Sequence, residues 1–160
     1  MIALVLLLTG SAGCLGGQQQ TQKEASEIIL TASEIQGDWT EGEILWFSPS
    51  NYTSNYAIKN FRTANDSAFI EIAVNVYDTV DKAQRIYQNG LNNVSYLGPT
   101  HPDIGDEAYM LTMEGSYYGG SLIVFAVGNV LVACQTAYYP AYTISEQWLI
   151  DLMETQASKI

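Results

Sequence analysis

The densest group of side chains that could do acid–base or metal chemistry runs from His101 to Glu107 (HPDIGDE). It sets the only histidine of the chain beside three carboxylates. Carboxylates bind calcium and, with imidazole, act as general acids and bases. The EF-hand spacing is absent, and Gly105 followed by acidic residues is also typical of a tight turn whose carboxylates accept backbone hydrogen bonds. The pattern favours a structural turn, with a small extracytoplasmic hydrolase or a metal-binding protein as the alternative.

Other signatures of catalysis are missing from the sequence. It contains no Gly-x-Ser-x-Gly, no Gly-x-x-x-x-Gly-Lys and no Gly-x-Gly-x-x-Gly motif, which are the patterns of a nucleophile elbow, a phosphate loop and a dinucleotide site. Two cysteines and one histidine cannot supply a four-thiolate zinc site or a multi-histidine metal centre. We therefore expect no catalytic residue, no metal and no cofactor, and we predict that the protein is not an enzyme.

Cys14 is the residue with the most specific chemistry. The apolar run from Ile2 to Thr9 is too short to span a bilayer and has the length of a signal-peptide core. Ser11-Ala12-Gly13-Cys14 follows it, and this arrangement resembles a prokaryotic lipoprotein signal. The resemblance implies cleavage before Cys14 and lipid attachment to its thiol. An ordinary cleaved signal, or a buried N-terminal strand with a chance cysteine, is the alternative.

The residues after Cys14 predict a tether. The stretch Leu15-Gly16-Gly17-Gln18-Gln19-Gln20-Thr21-Gln22 is polar and glycine-rich, with little to bury. The opening of this stretch resembles that of archaeal surface lipoproteins. The predicted organisation is a signal peptide at 1–13, a lipid-anchored flexible tether at 14–26 and an extracytoplasmic domain at 27–160. The predicted location is the cell membrane, with the domain on its outer side.

Tyrosines make a second candidate site. The chain has 11 tyrosines, and five of them lie at predicted strand ends and loops. Tyrosine offers an apolar ring with a hydroxyl group, which suits sugar stacking or a protein interface. Tyrosines that cap the ends of the sheet and shield its core are the alternative. The candidate ligand rim consists of Tyr117, Tyr118, Tyr138, Tyr139 and Tyr142.

Three Asn-x-Ser/Thr sequons, at Asn51, Asn65 and Asn93, are candidate glycosylation sites. All three fall in predicted loops, which fits an exported protein. Cys134 lies in an apolar stretch and is predicted to be a buried small hydrophobe. With Cys14 lipidated, Cys134 would have no partner for an intrachain disulfide.

Composition excludes several classes of partner. The chain has 6 basic and 17 acidic residues, a net charge of −11, which argues against binding to nucleic acid or to anionic lipid through basic side chains. A hydrophobic content of 48% in 160 residues suffices for one folded domain. The partners left are the membrane, reached through the Cys14 lipid, and an envelope protein or a small ligand.

The hydrophobic pattern predicts seven strands and two helices. The clearest strand is Ala68–Tyr77. Its even-numbered residues are all apolar, and they alternate with a mixed set of odd-numbered residues that includes Glu71 and Asn75. Gly128-Asn129 predicts a hairpin turn between the last two strands. The strands are predicted at Ser26–Thr31, Glu43–Ser48, Tyr56–Thr63, Ala68–Tyr77, Glu107–Met113, Ser121–Val127 and Val130–Ala137.

The first predicted helix is capped at Asp78 or Thr79 and ends near Gly90 to Asn93. The second runs from Ile144 to about Ser158, with Thr143 in a capping box. Short connections predict a mainly antiparallel sheet of about six or seven strands, with two helices able to cover one face, an α+β fold.

This order of elements resembles the PsbP-like fold and the small surface lipoproteins of the LpqN type. The resemblance rests on a strand and helix from Val74 to Leu91, the segment Ile104 to Tyr109, a Gly-Asn hairpin and a terminal helix. It implies a non-enzymatic accessory, sensory or docking domain. A structural envelope component without a discrete ligand is a further alternative.

Overall fold

The computed structural model describes residues 20–42, 53, 55–115, 117–139 and 142–160. Within these ranges one antiparallel sheet of six strands carries three α-helices, which makes an α+β fold. None of the described helices has both the length and the apolar content needed to cross a membrane. The strands are β1 (Trp39–Gly42), β2 (Tyr56–Thr63), β3 (Ala68–Val76), β4 (Glu107–Glu114), β5 (Gly119–Val127) and β6 (Val130–Tyr138), and the helices are α1 (Ala25–Ile28), α2 (Val80–Val94) and α3 (Glu146–Ala157).

The sheet has the strand order β1-β2-β3-β6-β5-β4, so β3 and β6 lie at its centre. Tight turns join β2 to β3 and β5 to β6, with positive φ angles of 53° at Asp66 and 54° at Gly128. These two turns lie at opposite ends of the sheet, because Ala68 pairs with Tyr138 and Val76 with Val130. The predicted hairpin at Gly128-Asn129 is confirmed.

On one face of the sheet, α1 and α3 cover the larger apolar cluster. Ile28 of α1 and Leu149 of α3 are buried there with Ile72 of β3 and Val132 of β6. Each apolar side chain of this size that leaves water contributes about 1.5–3 kcal/mol. This face therefore holds most of the core.

On the other face, α2 packs through Ala83 and Tyr87 against strand residues that include Val124 and Leu131. The expectation that two helices cover one face is wrong, since α2 and α3 lie on opposite sides. Central strands with apolar residues at consecutive positions, such as β5 and β6, need cover on both faces.

The prediction of a strand at Ser26–Thr31 is wrong. The first residues of this segment belong to the helical turn α1, which ends at Ile28. Glu24 and Glu27 form a capping box that starts this turn. The next residues, Ile29 and Leu30, are both buried, whereas a strand on a sheet alternates its faces. The run packs under the sheet instead of joining it.

The first strand also differs from its prediction. Trp39 lies in β1, which pairs with β2, and not in a turn. The ring of Trp39 stacks on Trp148 of α3 at 5.8 Å between centroids. The predicted strand at Glu43–Ser48 lies outside the described residues.

Both long helices are confirmed with changed ends. Thr79 caps α2 by accepting a hydrogen bond from the Lys82 amide at 3.2 Å. The helix continues through Gly90, where an added Cβ would stand 3.0 Å from the Tyr109 hydroxyl. Glycine weakens a helix by about 1 kcal/mol, but here it lets α2 approach the sheet. The cap of α3 is Ser145 and not Thr143.

Candidate functional site

A cavity of about 280 Å³ lies on the sheet face that carries α2, beside Ile86 of that helix. Its floor is formed by alternate residues of β3 and β6, because side chains two positions apart share a face. Ala73 of β3 stands opposite Ala133 of β6, and these small side chains leave the space. The lining residues are Glu71, Ala73, Asn75, Tyr77, Ile86, Leu122, Val124, Leu131, Ala133 and Gln135.

The polar lining sits at both ends of this apolar floor. Glu71 and Gln135 are cross-strand neighbours in one row, and Asn60 of β2 lies on the other side of Glu71. Asn75 is four positions further along β3 and is 5% exposed. The side-chain oxygens of Asn60 and Asn75 are buried and accept no hydrogen bond from any described residue.

Two tyrosines outside the lining of the cavity, Tyr87 and Tyr109, belong to the smaller apolar cluster under α2. The rings of Tyr87 and Tyr109 contact each other at 5.4 Å. Burial, reinforced by Glu107 and Tyr109, raises the pKa of Tyr87 to about 12, and burial also raises the pKa of Tyr109. Both phenols are therefore uncharged at neutral pH and act as packing groups.

The five residues of the predicted tyrosine rim divide between two environments. Tyr117, Tyr118 and Tyr139 are exposed, by 81%, 65% and 56%. Tyr138 and Tyr142 pack partly against the core on the α3 face. The three exposed tyrosines lie at or next to the end of β5 and β6 where Gly119 pairs with Tyr138, opposite the Gly128 turn. We call this end the tyrosine end of the sheet.

The tyrosine end holds a smaller hollow of about 180 Å³. It is lined by Phe69, Tyr118, Ala137, Tyr138 and Tyr139. Phe69 lies on the same face of β3 as Glu71, two positions away, so the floor of the larger cavity leads toward this hollow.

In the His101–Glu107 loop, Asp106 and His101 contact the backbone, whereas Glu107 accepts a hydrogen bond from the Gln88 side chain at 2.6 Å. Asp106 accepts a hydrogen bond from the Gly128 amide at 2.7 Å, and His101 Nδ1 lies 3.0 Å from the Ala108 carbonyl oxygen. Gly105 has a φ of 63°, and a Cβ there would stand 2.5 Å from the Ala126 carbonyl oxygen. The predicted tight turn at Gly105 is present. Among the described residues no three His, Cys, Asp or Glu side chains are grouped to hold a metal ion.

Cys134 is a free thiol and is fully buried, as predicted. Burial, reinforced by the Glu71 charge, raises its pKa strongly, which makes the thiol unreactive. Cys14 lies outside the described residues, so its lipidation stays a prediction.

The sequons lie in three settings. Asn51 is outside the described residues. Asn65 is exposed in the turn between β2 and β3, where its oxygen accepts a hydrogen bond from the Ser67 hydroxyl at 2.7 Å. Asn93 is exposed but belongs to the last turn of α2 and not to a loop. Glycosylation of these residues stays a prediction.

Comparison with solved structures identifies the fold. The chain is similar to the extracellular domain of PknH from Mycobacterium tuberculosis, with a TM-score of 0.60, 16% identity, and coverage of 89% of this chain and 98% of that domain. A structure from Bacteroides thetaiotaomicron VPI-5482 matches with a TM-score of 0.45, 16% identity, and coverage of 72% and 41%, too weakly to support an argument. No protein-family model and no curated protein matches the chain. At such identities the likeness concerns the fold alone.

Sequence reasoning missed the cavity. The alternation in Ala68–Tyr77 identified the second face of β3, but the cavity depends on which residues of β6 oppose it. A usable signal was present: Glu71 and Asn75 flank Ala73 on one face of a strand predicted to be central. Polar groups around a small residue in a buried strand indicate space for something other than core.

Proposed function

We propose that the protein is a prokaryotic surface lipoprotein, held to the membrane by lipid on Cys14, whose extracytoplasmic domain binds a small molecule without converting it. The observation that carries the binding function is the cavity beside α2, whose apolar walls end in buried polar groups. Ligand sites in proteins are concave and mostly apolar, with a few convergent polar groups.

The other features support this proposal from separate directions. In the His101–Glu107 loop, His101 and Asp106 bond to backbone atoms, which supports a structural role for these two side chains over a hydrolytic one. The likeness to an extracellular domain, the lipoprotein-like signal and the PsbP-like and LpqN-like resemblance all fit a sensory or accessory domain outside the cell. The Cys14-Leu15-Gly16-Gly17 opening favours an archaeal source.

Native mass spectrometry tests the binding function. The full-length protein is purified from its host in mild detergent beside two variants, Ala133→Phe, which fills the cavity, and Ala64→Phe, which makes the same change in an exposed turn. We expect an additional small-molecule mass on the wild type and on Ala64→Phe that is lost from Ala133→Phe. Melting temperatures establish that both variants are folded.

Two results contradict the binding function. The absence of any bound mass on the wild type would favour a structural envelope component. Retention of the bound mass by a folded Ala133→Phe variant would place the ligand elsewhere, for which the hollow at the tyrosine end is the next candidate.

A further inference from the structure

The sequon at Asn65 lies at the tip of the turn between β2 and β3. The Asp66 backbone amide donates a hydrogen bond to the Thr63 carbonyl oxygen at 3.0 Å, which closes the turn. Asn65 and Asp66 are exposed, and Asp66 has a φ of 53°, a left-handed conformation that aspartate tolerates better than most residues. Exposed turn tips are the parts of a folded chain that enzymes reach most readily. The Asn65 sequon is therefore presented to a modifying enzyme.

Hydrogen bonds hold the Asn65 side chain in one orientation. Its Oδ1 accepts hydrogen bonds from the Ser67 hydroxyl at 2.7 Å and from the Ser67 backbone amide at 3.3 Å, and a third from the Thr63 hydroxyl at 3.0 Å. A backbone N–H can only donate, so the atom that faces it is the oxygen of the side-chain amide. Within the residues that the structure describes, every hydrogen bond of this side chain ends at Oδ1. The nitrogen Nδ2, which N-glycosylation modifies, is left for reaction.

The two functional groups of this sequon lie side by side. A glycosyl transferase that acts on Asn-x-Ser/Thr reads both the amide of the asparagine and the hydroxyl two residues later. In the turn, the hydrogen bond from the Ser67 hydroxyl to Asn65 Oδ1 keeps these groups together at 2.7 Å. Such local bonds from a side chain to its neighbours are typical of turns that begin with asparagine.

Asn93 is exposed as well, but its sequon has helical backbone. Asn93 and Val94 are the last residues of α2, and Ser95 begins the 3-10 turn that continues it. Side chains two residues apart on a helix do not face each other. The Ser95 hydroxyl accordingly donates to the Asn92 carbonyl oxygen at 3.0 Å and not to Asn93. A transferase would have to unwind the end of α2 to bring the two groups together.

The turn that carries Asn65 lies at the tyrosine end of the sheet. The Tyr139 backbone amide donates to the Ser67 carbonyl oxygen at 2.9 Å. Thr21, which follows the predicted lipid anchor, is joined to the opposite end of the sheet by its hydrogen bond to Asn129 at 2.7 Å. A bulky, solubilising group on Asn65 would thus point away from the anchored end.

Going beyond the proposed binding function, and resting on the extracytoplasmic location of the domain, we infer that Asn65 carries an N-linked oligosaccharide and that Asn93 does not. The donor is an oligosaccharide whose anomeric carbon is bonded to a lipid-borne phosphate. Asn65 Nδ2 attacks that carbon and forms the C–N bond. The bond from the carbon to the phosphate oxygen breaks, the lipid phosphate leaves with the electron pair, and a base of the transferase takes one proton from Nδ2.

Site-resolved peptide mass spectrometry of the full-length protein purified from its host tests this inference. We expect peptides that contain Asn65 to carry a glycan, with the first sugar on the asparagine side chain, and peptides that contain Asn93 to have their unmodified mass. Asn65→Gln should lose this glycan completely. Asn93→Gln, the matched control, should leave the glycan on Asn65 unchanged.

Substitutions of the hydroxyl residue test the arrangement of the turn. Ser67→Ala removes the hydroxyl and should abolish the modification of Asn65, whereas Ser67→Thr keeps a hydroxyl there and should retain it. Ser95→Ala removes the hydroxyl of the helical sequon and should leave the Asn65 glycan unchanged. Melting temperatures of the variants establish that each one is folded.

The outcomes separate this inference from the binding function. An unmodified Asn65 in the wild type overturns it, as does a glycan on Asn93 or a glycan on Asn65 that persists in a folded Ser67→Ala variant. If Asn65 is unmodified but a bound small-molecule mass still depends on Ala133, the binding function stands and the glycan alone is removed. If Asn65 is glycosylated but no small molecule is bound in the cavity, the glycan stands and the binding function fails.

Discussion

At the scale of single residues, Asp106 belongs to the densest group of candidate acid–base side chains, and its carboxylate bonds to the backbone, as the interpretation of this loop as a structural turn predicts. Its carboxylate accepts a hydrogen bond from the Gly128 backbone amide at 2.7 Å. Its own backbone amide donates a hydrogen bond to the Ala126 carbonyl oxygen at 2.7 Å. Both bonds tie the loop before β4 to the hairpin between β5 and β6. The positive φ of 54° at Gly128 shows how sharply the chain turns at this point.

Asp106→Ala should therefore destabilise the protein by about 1–2 kcal/mol, because it removes a charge-assisted hydrogen bond to a backbone amide. Chemical denaturation measures the change. Asp106→Asn keeps an acceptor and should recover part of the loss. Ligand binding in the cavity should be unaffected by either variant.

Asp103→Ala is the matched control, since Asp103 is an exposed residue of the same loop. It should change the free energy of unfolding by less than about 0.5 kcal/mol. Equal destabilisation by Asp103→Ala and Asp106→Ala would show that the loop responds to its net charge and not to the hydrogen bond with Gly128.

At the scale of elements, Gln156 joins α3 to the segment that follows α1. Its side chain is fully buried, accepts a hydrogen bond from the Leu30 amide at 3.0 Å and donates to the Ile28 carbonyl at 2.8 Å. These two hydrogen bonds pair backbone groups of residues 28–30 that a neighbouring strand would otherwise have paired. An apolar run with the composition of a strand can therefore lie outside the sheet, because its buried backbone amide and carbonyl groups still have hydrogen-bond partners.

Gln156→Ala should destabilise the protein by about 2–4 kcal/mol, because it leaves both a buried amide and a buried carbonyl without a partner. Urea denaturation gives the value. Gln147→Ala is the control on the same helix, where the exposed side chain donates a hydrogen bond to Asp151 one turn on and to no other described residue; it should cost less than about 0.5 kcal/mol. Similar losses for the two variants would rule out the proposed bridging role.

The C-terminal end of α3 is also joined to the short turn after α1 by charge. The ammonium of Lys159 lies 2.8 Å from Glu34 Oε1. This hydrogen bond, with help from Thr31, lowers the pKa of Glu34 from 4.5 to about 2. Because the folded-state pKa lies below the unfolded value, the stabilisation is complete above about pH 4.5 and is lost as the pH falls toward 2.

Glu34→Gln should accordingly lower the melting temperature at pH 7, and the difference from wild type should shrink between pH 4.5 and pH 2. Scanning calorimetry across this range follows the change. Glu154→Gln, at a position with no ion pair among the described residues, should show no such pH dependence. A constant difference for Glu34→Gln down to pH 2 would be inconsistent with the ion pair.

At the scale of the whole molecule, the N-terminal segment meets the domain at the hairpin between β5 and β6. The Thr21 amide donates to Asn129 Oδ1 at 2.7 Å, and Gln20 donates to the Asp78 carbonyl at 2.8 Å. Cys14 precedes Thr21 by seven residues, a reach of at most about 25 Å. A lipid on Cys14 would hold this end of the sheet near the membrane and direct the tyrosine end away from it.

The anchor itself is tested by fractionation of the host with intact-mass analysis. We expect a membrane-bound species that begins at Cys14 and carries lipid mass, and a Cys14→Ser variant that leaves the membrane fraction. Cys134→Ala is the control and should stay membrane-bound. A soluble wild-type chain that still begins at Met1 would remove the anchor from the proposal and leave the cavity untouched.

Sequence by itself determined the elements whose pattern is local. The alternation in Ala68–Tyr77, the Gly128-Asn129 turn and the cap at Thr79 each depend on residues close together in the chain, so β3, the hairpin and the start of α2 were predictable. The run at Ser26–Thr31 was not, because the backbone amide of Leu30 and the backbone carbonyl of Ile28 are bonded by Gln156, which lies 126 positions from Leu30. Local propensity carries no information about such a partner.

The candidate site was decided only by the tertiary structure. Sequence placed Glu71, Ala73 and Asn75 on one face of a strand, but their meaning depends on Ala133 and Gln135 standing opposite and on α2 covering that same face. Register and helix placement follow from packing over the whole sheet, which optimises burial on two faces at once. A cavity is the space that this packing leaves, so it belongs to no segment of the sequence.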